Sequence, residues 1–253
     1  MRKGSEQRHE VGLRSDSLGL ATLPRLSVEE GGGEIATMAH LFSTFRVFNV
    51  DAEAARRPHQ ESDNEALAPD ASNLAAFLHR LAGDDELFED FQDDVREMIP
   101  GIREIVFEPV GGSARAVAVK LLEDGLRDLT DLADASFGTI RLLALLALLY
   151  DPDPPLLTCV EEIDHGLHPY VFDRLVDRMR EASTRTQLLV VTHSPALVNR
   201  LSPEELIVCE RGEDGASLIP AVNSDLIRRK EMAADGLRLG EIWFSGSLGG
   251  VPA

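Results

Sequence analysis

LLTCVEEIDHGLHP, residues 156–169, joins an apolar, strand-like run to two adjacent carboxylates, Glu161 and Glu162. Carboxylates at the buried end of a strand are unfavourable unless a cation or a hydrogen-bond donor compensates them. In open α/β sheets, ligands bind beyond the carboxyl ends of the strands. One acid at that position can hold Mg²⁺, directly or through water, and the other can deprotonate an attacking water. The pair could instead stabilise the start of a helix, and the spacing alone leaves both interpretations open.

A second apolar run, QLLVVTHSP at residues 187–195, also leads into a polar side chain, His193. Strands that follow one another along a chain often pair in space, and such a pairing would bring His193 into the same crevice as Glu162. A histidine there can donate a hydrogen bond to a phosphate during its transfer. Taken alone, His193 fits a structural histidine at a strand end more simply.

The third informative segment is DASFGTIRLLALL at residues 134–146, in which a Ser-x-Gly-Thr turn opens an apolar helix. The hydroxyls of Ser136 and Thr139 and the free N–H groups around Gly138 gather at the start of this helix. Such a terminus can bind an anion. The simpler interpretation is an ordinary N-cap by Ser136 or Thr139.

The apolar pattern predicts an α/β protein. The predicted helices span 73–81, 86–99, 139–150, 169–182 and 195–201. The predicted strands span 41–50, 102–110, 114–122, 156–160, 187–192 and 206–209, with a hairpin turn at Gly111-Gly112. Continuous apolar strands that alternate with helices favour a mostly parallel sheet with helices on both faces.

Residues 237–253 are Gly-rich and are predicted to be irregular. Residues 1–35 lack a hydrophobic period and are predicted to be a poorly ordered tail, which leaves 36–253 as the folded domain.

Composition narrows the possible partners. Of the 253 residues, 25 are Lys or Arg and 44 are Asp or Glu, so the formal net charge is −19. A chain this acidic repels a phosphate backbone, and contact with DNA would need a local basic patch or another subunit. Cys159 and Cys209 stand outside any C-x-x-C pair, which argues against zinc. The sequence has neither a signal core nor a run long enough to cross a membrane, so we expect a cytoplasmic protein.

Together and in this order, the three segments resemble the signature motif, the Walker B motif and the switch histidine of ABC-class ATPases. More narrowly, the chain resembles the RecF/SMC/OLD-like branch, often called AAA family ATPases. Sequences of that branch run Ser-x-Gly-Thr-x-Arg before an Ala/Leu helix, here Ser136 to Arg141. The resemblance continues through DPDPP at 151–155, EEIDHGLHP at 161–169 and THSP at 192–195, and covers roughly residues 41–252. The family more often has Pro at position 163 and Glu at position 164.

The resemblance implies a role for each residue that matches a motif. Glu161 would support Mg²⁺, Glu162 would be the general base for water, and His193 would sense the γ-phosphate of ATP. His165, Gly166 and His168 would belong to the D-loop that crosses to a partner subunit. The residues expected to contact ATP held by the other subunit are Ser136, Gly138 and Thr139. The implied protein is a homodimeric, ATP-driven switch that works with a DNA-processing or defence protein.

One motif of the family is missing. A phosphate-binding P-loop reads GxxxxGK[ST], and the 253 residues contain no such sequence. The family's P-loop lies upstream of the strand that contains Arg46, so we expect a P-loop NTPase fold with an incomplete N-terminal lobe. The chain would then be a fragment, a subunit completed by another polypeptide, or a degenerate relative, and it would be a weak ATPase by itself.

Three other functions are compatible with parts of the sequence. A catalytically silent scaffold or partner-binding subunit would explain the missing P-loop. A metal-dependent hydrolase could use His165 and His168 together with Glu161, Glu162, Asp164 and His193. However, two histidines three residues apart across Gly166 form no established zinc motif. An OLD-type nuclease would need a Toprim domain after the ATPase, which the 253 residues do not include.

Overall fold

The computed structural model describes residues 32–60, 66–111, 116–234 and 236–250. The predicted tail at 1–31, the turn at 112–115 and residues 251–253 lie outside the described residues. The helices are α1 (Gly32–Ser43), α2 (Ala52–Ala55), α3 (Leu74–Leu81), α4 (Asp85–Met98), α5 (Phe137–Leu149), α6 (Phe172–Ala182), α7 (Pro195–Val198), α8 (Ser224–Ala233) and α9 (Leu239–Phe244). The strands are β1 (Arg46–Phe48), β2 (His59–Gln60), β3 (Ile102–Val110), β4 (Ala116–Glu123), β5 (Thr130–Asp131), β6 (Leu157–Val160), β7 (Gln187–Val190), β8 (Glu210–Arg211) and β9 (Ser217–Leu218).

A three-stranded parallel sheet positions the candidate site, with β6 between β1 and β7. The register places Phe48 beside Val160 and Val160 beside Val190. Phe48 and Val160 face the core and are almost fully buried. The opposite face carries Val47 and Leu189, which are 52% and 45% exposed. This sheet and the helices that follow its strands confirm the predicted α/β class.

Helix α5 lies in the centre of the main core because its sequence, FGTIRLLALLALL, is apolar on every side. Residues 140–149 are all buried. The helix contacts α2, α3, α4 and α6. A helix packed around its whole circumference holds its first turn, and any side chain on that turn, in one position.

A second sheet, with strand order β2-β4-β3, is antiparallel, and β5 pairs with β4. Its main hairpin confirms the predicted pairing of the two strands, with Val110 opposite Ala116. No helix in the described parts of the chain is long and apolar enough to span a bilayer.

The structure corrects the sequence prediction near the start of the described chain. The predicted strand 41–50 is a strand only at Arg46–Phe48, and the preceding helix α1 runs through Ser43. Ile35, Met38 and Phe42 recur at helical spacing, and this period begins inside the segment that was assigned to the tail. The prediction of an unstructured tail is therefore wrong for residues 32–35.

The C-terminal part also differs from the prediction. A separate apolar cluster holds it together; its buried members are Val198, Val208, Ile227, Leu239, Ile242 and Leu248. The predicted strand 206–209 is wrong because Val208 packs into this cluster and its carbonyl accepts a hydrogen bond from the Ala221 N–H. The prediction of an irregular ending is wrong at Leu239–Phe244, where Glu241 caps helix α9 through the Arg238 N–H.

Candidate active site

The parallel sheet brings the ends of β6 and β7 to one edge. The Val191 N–H donates to the Val160 carbonyl at 2.9 Å, and the Ile163 N–H donates to the Val191 carbonyl at 3.3 Å. The turn after β6, residues 161–168, therefore begins beside the residues that follow β7. The two strands are neighbours, which is the condition that the sequence set for bringing His193 near the acidic pair.

Glu162 has an unusual backbone conformation for a non-glycine residue, with a φ of 49°. Left-handed backbone of this kind costs on the order of 1–3 kcal/mol and persists only where surrounding contacts hold it. The Glu162 side chain is 62% exposed, and one carboxylate oxygen lies 3.0 Å from Nδ1 of His165. The strained turn thus presents a carboxylate to solvent at the end of the central strand.

The electrostatic surroundings keep Glu162 ionised. The hydrogen bond from His165 is the main reason that the pKa of this carboxyl lies below its ordinary value of 4.5, and the charges of His165, Arg141 and His193 act in the same direction. His193 is itself exposed. Glu162 and His193 therefore follow neighbouring strands, and both side chains are open to solvent at the same edge of the sheet.

Contacts between side chains tie the two turns together. Thr192 Oγ1 donates a hydrogen bond to Asp164 Oδ1, and the Ser194 N–H donates to Thr192 Oγ1 at 3.0 Å. Ser194 in turn caps helix α7. His193 stands between Thr192 and Ser194, so its backbone position is set by the turn that carries Glu162.

Arg141, on the second turn of α5, contacts the backbone at the same edge of the parallel sheet. Its guanidinium donates to the carbonyls of Val50 at 3.0 Å, Glu162 at 2.7 Å and Glu161 at 3.3 Å. Arg141 is 3% exposed, and burial lowers its pKa although Glu162 and Asp164 oppose that effect.

The Ser-x-Gly-Thr turn packs directly on the turn after β6, residues 161–168, which we call the acidic turn. A Cβ added to Gly138 would lie 2.8 Å from the Gly166 carbonyl oxygen, and one added to Gly166 would lie 2.6 Å from the Phe137 ring. Gly166 also has a φ of 73°, which favours glycine. Two glycines are therefore required for the first turn of α5 to approach the turn after β6.

Several predicted site residues also have local structural roles. Ser136 caps α5 by accepting from the Thr139 N–H at 3.1 Å, and the two hydroxyls are 2.9 Å apart. His168 Nδ1 accepts from the Tyr170 N–H at 3.2 Å. The N-cap interpretation of Ser136 is thus observed, while its hydroxyl remains at the exposed end of the helix.

Glu161 follows the same strand as Glu162, and its side chain is exposed. Mg²⁺ characteristically keeps several waters and takes one or two carboxylates together with phosphate oxygens. The accessible carboxylate of Glu161 at the end of β6 fits that donor set. In the described ranges, no group of three or more His, Cys, Asp or Glu side chains is arranged to hold a metal without such additional ligands.

Sequence reasoning named Arg141 only as part of the Ser-x-Gly-Thr-x-Arg motif and Asp164 only as a possible ligand in the alternative metal cluster. It gave Thr192 no role of its own. The role of Arg141 could have been inferred from the sequence, because it is the single charged residue in the otherwise apolar helix FGTIRLLALLALL. A cation buried in such a helix needs hydrogen-bond acceptors from elsewhere in the fold. The Thr192–Asp164 contact had no comparable signal, since it joins residues 28 positions apart.

The parallel sheet, the acidic pair after its central strand and the histidine after the next strand define an α/β domain of the P-loop NTPase kind. Residues 23–199 match the model of the family described as "AAA domain, putative AbiEii toxin, Type IV TA system". The chain belongs to that family. No curated protein sequence matches the chain.

A solved structure of an SMC head domain shares the fold. The SMC head bound to the C-terminal winged-helix domain of ScpA has a TM-score of 0.50 at 15% identity, over 79% of this chain and 62% of that one. The Pyrococcus furiosus SMC head with an extended coiled coil, bound to the C-terminal domain of ScpA, has a TM-score of 0.46 at 12% identity, over 85% of this chain and 50% of that one.

A third structure comes from work on ATP-driven dimerization and DNA-stimulated activation of SMC ATPases. It has a TM-score of 0.43 at 15% identity, over 65% of this chain and 99% of that one. The chain therefore spans nearly all of one of these relatives but only 50% and 62% of the other two. At 15% identity, the similarity to the SMC head bound to the winged-helix domain of ScpA shows the fold alone.

Proposed function

We propose that this protein is an ATP-binding and ATP-hydrolysing nucleotide switch, in which the turn after β6 carries the hydrolytic residues. The observation that supports this proposal is the position of Glu162 and His193, which follow adjacent parallel strands at one edge of the sheet. ATP would supply the scissile phosphoanhydride bond, and Mg²⁺ would neutralise charge on its phosphates.

Each side chain has a role that its surroundings allow. Glu162 accepts a proton from water, since its carboxylate is ionised at neutral pH and open to solvent at the end of β6. Glu161, exposed beside it, holds Mg²⁺ directly or through water. His193 donates a hydrogen bond toward the γ-phosphate, and the Thr192–Asp164 contact keeps it beside Glu162.

The same proposal makes the protein a homodimer when ATP is bound. Ser136, Gly138 and Thr139 lie at the start of α5, and Ser136 is exposed, so a partner's nucleotide can approach them. His165, Gly166 and His168 form the adjoining surface, because Gly166 touches the α5 turn. ATP-driven dimerization, described for SMC ATPases with the same fold, supports this arrangement.

The phosphate-binding loop must be supplied from outside the 253 residues, which contain no GxxxxGK[ST] sequence. The same observation favours a second candidate function, a catalytically silent subunit that keeps the ATPase fold as a scaffold for a partner. ATP binding separates the two functions, because the scaffold needs no nucleotide.

We further propose a role in cellular defence, because the family description refers to a putative AbiEii toxin of a type IV toxin–antitoxin system. The DNA-stimulated activation named for SMC ATPases leaves DNA processing as the alternative. The net charge of −19 favours a protein effector as the direct partner, since it opposes binding to nucleic acid. Free Cys159 and Cys209 agree with a reducing, cytoplasmic location.

The test is to measure ATP binding and steady-state hydrolysis by the complete gene product, with Glu162→Gln as the variant. We expect turnover to fall by roughly 100-fold or more with nucleotide binding retained, as for loss of a general base. Glu86→Gln is the matched control, since Glu86 is an exposed glutamate on α4. Unchanged turnover in Glu162→Gln would remove Glu162 from the proposed role, and absence of ATP binding would favour the scaffold.

A further inference from the structure

Arg141 is a buried cation whose hydrogen bonds go to backbone carbonyls. Its guanidinium contacts the carbonyls of Val50, Glu161 and Glu162, which belong to the turns after β1 and β6. Among the described residues its Nε has no hydrogen-bond partner, and the charges of Glu162 and Asp164 act on it without a hydrogen bond to either carboxylate. Burying a cation in this way is unfavourable unless the acceptors that surround it are held in place.

The acceptors are the backbone of the residues proposed to be functional. Glu162 has a positive φ. Its carbonyl accepts hydrogen bonds from the Arg141 guanidinium at 2.7 Å and from the His165 N–H at 2.9 Å. A planar guanidinium can contact several carbonyls at fixed angles, which an ammonium cannot. The direction of the Glu162 side chain thus depends on a contact made 21 residues away in the sequence.

We propose that Arg141 is a positioning residue that holds Glu162 in its left-handed conformation and couples it to the first turn of α5. This inference rests on the proposed function of Glu162. Thr139 and Arg141 are two residues apart on a helix that is buried all round, so the two move together. A displacement of the Ser136–Thr139 turn by a partner's nucleotide would therefore move the guanidinium and, with it, the acidic turn.

Arg185, which is exposed, provides a control that shares the type of hydrogen bond with Arg141. Its guanidinium also donates to backbone carbonyls, those of Leu149 at 2.8 Å and of Asp151, at the opposite end of α5. Replacing either arginine by lysine keeps the charge and removes the planar set of donors. Only Arg141→Lys should disturb the acidic turn.

The first measurement is hydrogen exchange of the amides of Glu161, Ile163 and His165 in the full chain. We expect exchange to be at least about 10-fold faster in Arg141→Lys and unchanged in Arg185→Lys, because local opening sets the exchange rate. Unchanged exchange in Arg141→Lys, or equal acceleration in both variants, would overturn the proposal.

The second measurement separates this inference from the proposed function. In the complete gene product we expect Arg141→Lys to lower kcat by about 10-fold or more with KM for ATP nearly unchanged, since only the positioning of Glu162 is lost. A wild-type protein that hydrolyses no ATP would contradict the proposed function, while the exchange result would still decide the role of Arg141.

If Arg141→Lys does not fold, the wild-type chain supplies the answer by NMR with labelled arginine. Slowly exchanging, resolved Nη protons are expected for a guanidinium held by three carbonyls. Averaged, rapidly exchanging signals for Arg141 would overturn the proposal.

Discussion

Tyr150, the residue that follows α5, donates a hydrogen bond of 2.7 Å to the carboxylate of Asp94 on α4, and this carboxylate is fully buried. Two arginines of α6, Arg174 and Arg178, approach the same carboxylate at 2.6 Å. Burial and the bond to Asp94 raise the pKa of Tyr150 well above its usual range. One carboxylate therefore joins the helix that starts at the Ser-x-Gly-Thr turn to the helices on either side of it.

Removal of this buried charge should be strongly destabilising. We expect Asp94→Asn to lower the free energy of unfolding by about 3 kcal/mol or more, because both arginines would lose their buried partner. Urea denaturation measures the change. The control is Glu205→Gln, which removes an exposed pair with Arg180 and should cost less than about 1 kcal/mol. Equal losses in the two variants would contradict this account.

The Glu205 pair predicts a specific dependence of stability on pH. The hydrogen bond from Arg180 lowers the pKa of Glu205 from 4.5 to about 2. Because the folded-state pKa is depressed, the stabilisation is complete above the unfolded pKa of 4.5 and is lost as the pH falls toward about 2. Solvent screening limits its size to about 1 kcal/mol. The difference in unfolding free energy between wild type and Glu205→Gln should shrink across that window, and a difference that is constant with pH would count against the pair.

His165 should control the ionisation of Glu162. We expect His165→Ala to raise the pKa of the Glu162 carboxyl toward its ordinary value of 4.5, because the hydrogen bond from His165 is the largest cause of the shift. Carbon-13 NMR titration of the side-chain carboxyl measures this directly. His168→Ala is the matched control, since His168 contacts the Tyr170 N–H instead. A similar shift in both variants would show that the hydrogen bond is not the cause.

Gly138 offers a steric test of the contact between the two turns. An alanine in the first turn of a helix is usually neutral or stabilising relative to glycine. Here the added methyl would lie 2.8 Å from the Gly166 carbonyl oxygen, so we expect Gly138→Ala to destabilise the protein by about 1–3 kcal/mol. Thermal or urea unfolding checks the sign, and a gain in stability would mean that the turns can move apart freely.

Much of the fold could be predicted from local patterns. The apolar runs that became β6 and β7, the amphipathic helices α3, α4 and α6, and the β3–β4 hairpin all appear near their predicted positions. The secondary-structure predictions were wrong where the hydrophobic period was weak or where packing against a neighbouring segment determined the structure. Residues 206–209 look like a strand, yet Val208 is buried in a separate cluster and the segment forms no ladder.

The candidate site divides in a similar way. The positions of Glu162 and His193 at one sheet edge could be predicted, because parallel neighbouring strands end together. Their catalytic roles, and those of Glu161, Ser136, Gly138 and Thr139, stay predictions. The contacts that hold these residues in place could not be predicted. Nothing in the sequence indicates, for example, that the hydroxyl of Thr192 pairs with the carboxylate of Asp164.

By itself the sequence determined which segments are buried and where the carboxylates and histidines follow a strand, because burial pattern and strand ends are local properties of the chain. The tertiary structure decided which backbone groups Arg141 holds, how closely Gly138 approaches Gly166, and why Glu162 keeps a positive φ. These features depend on contacts across long separations, such as the 91 positions between Arg141 and Val50, and such contacts exist only once the core has packed.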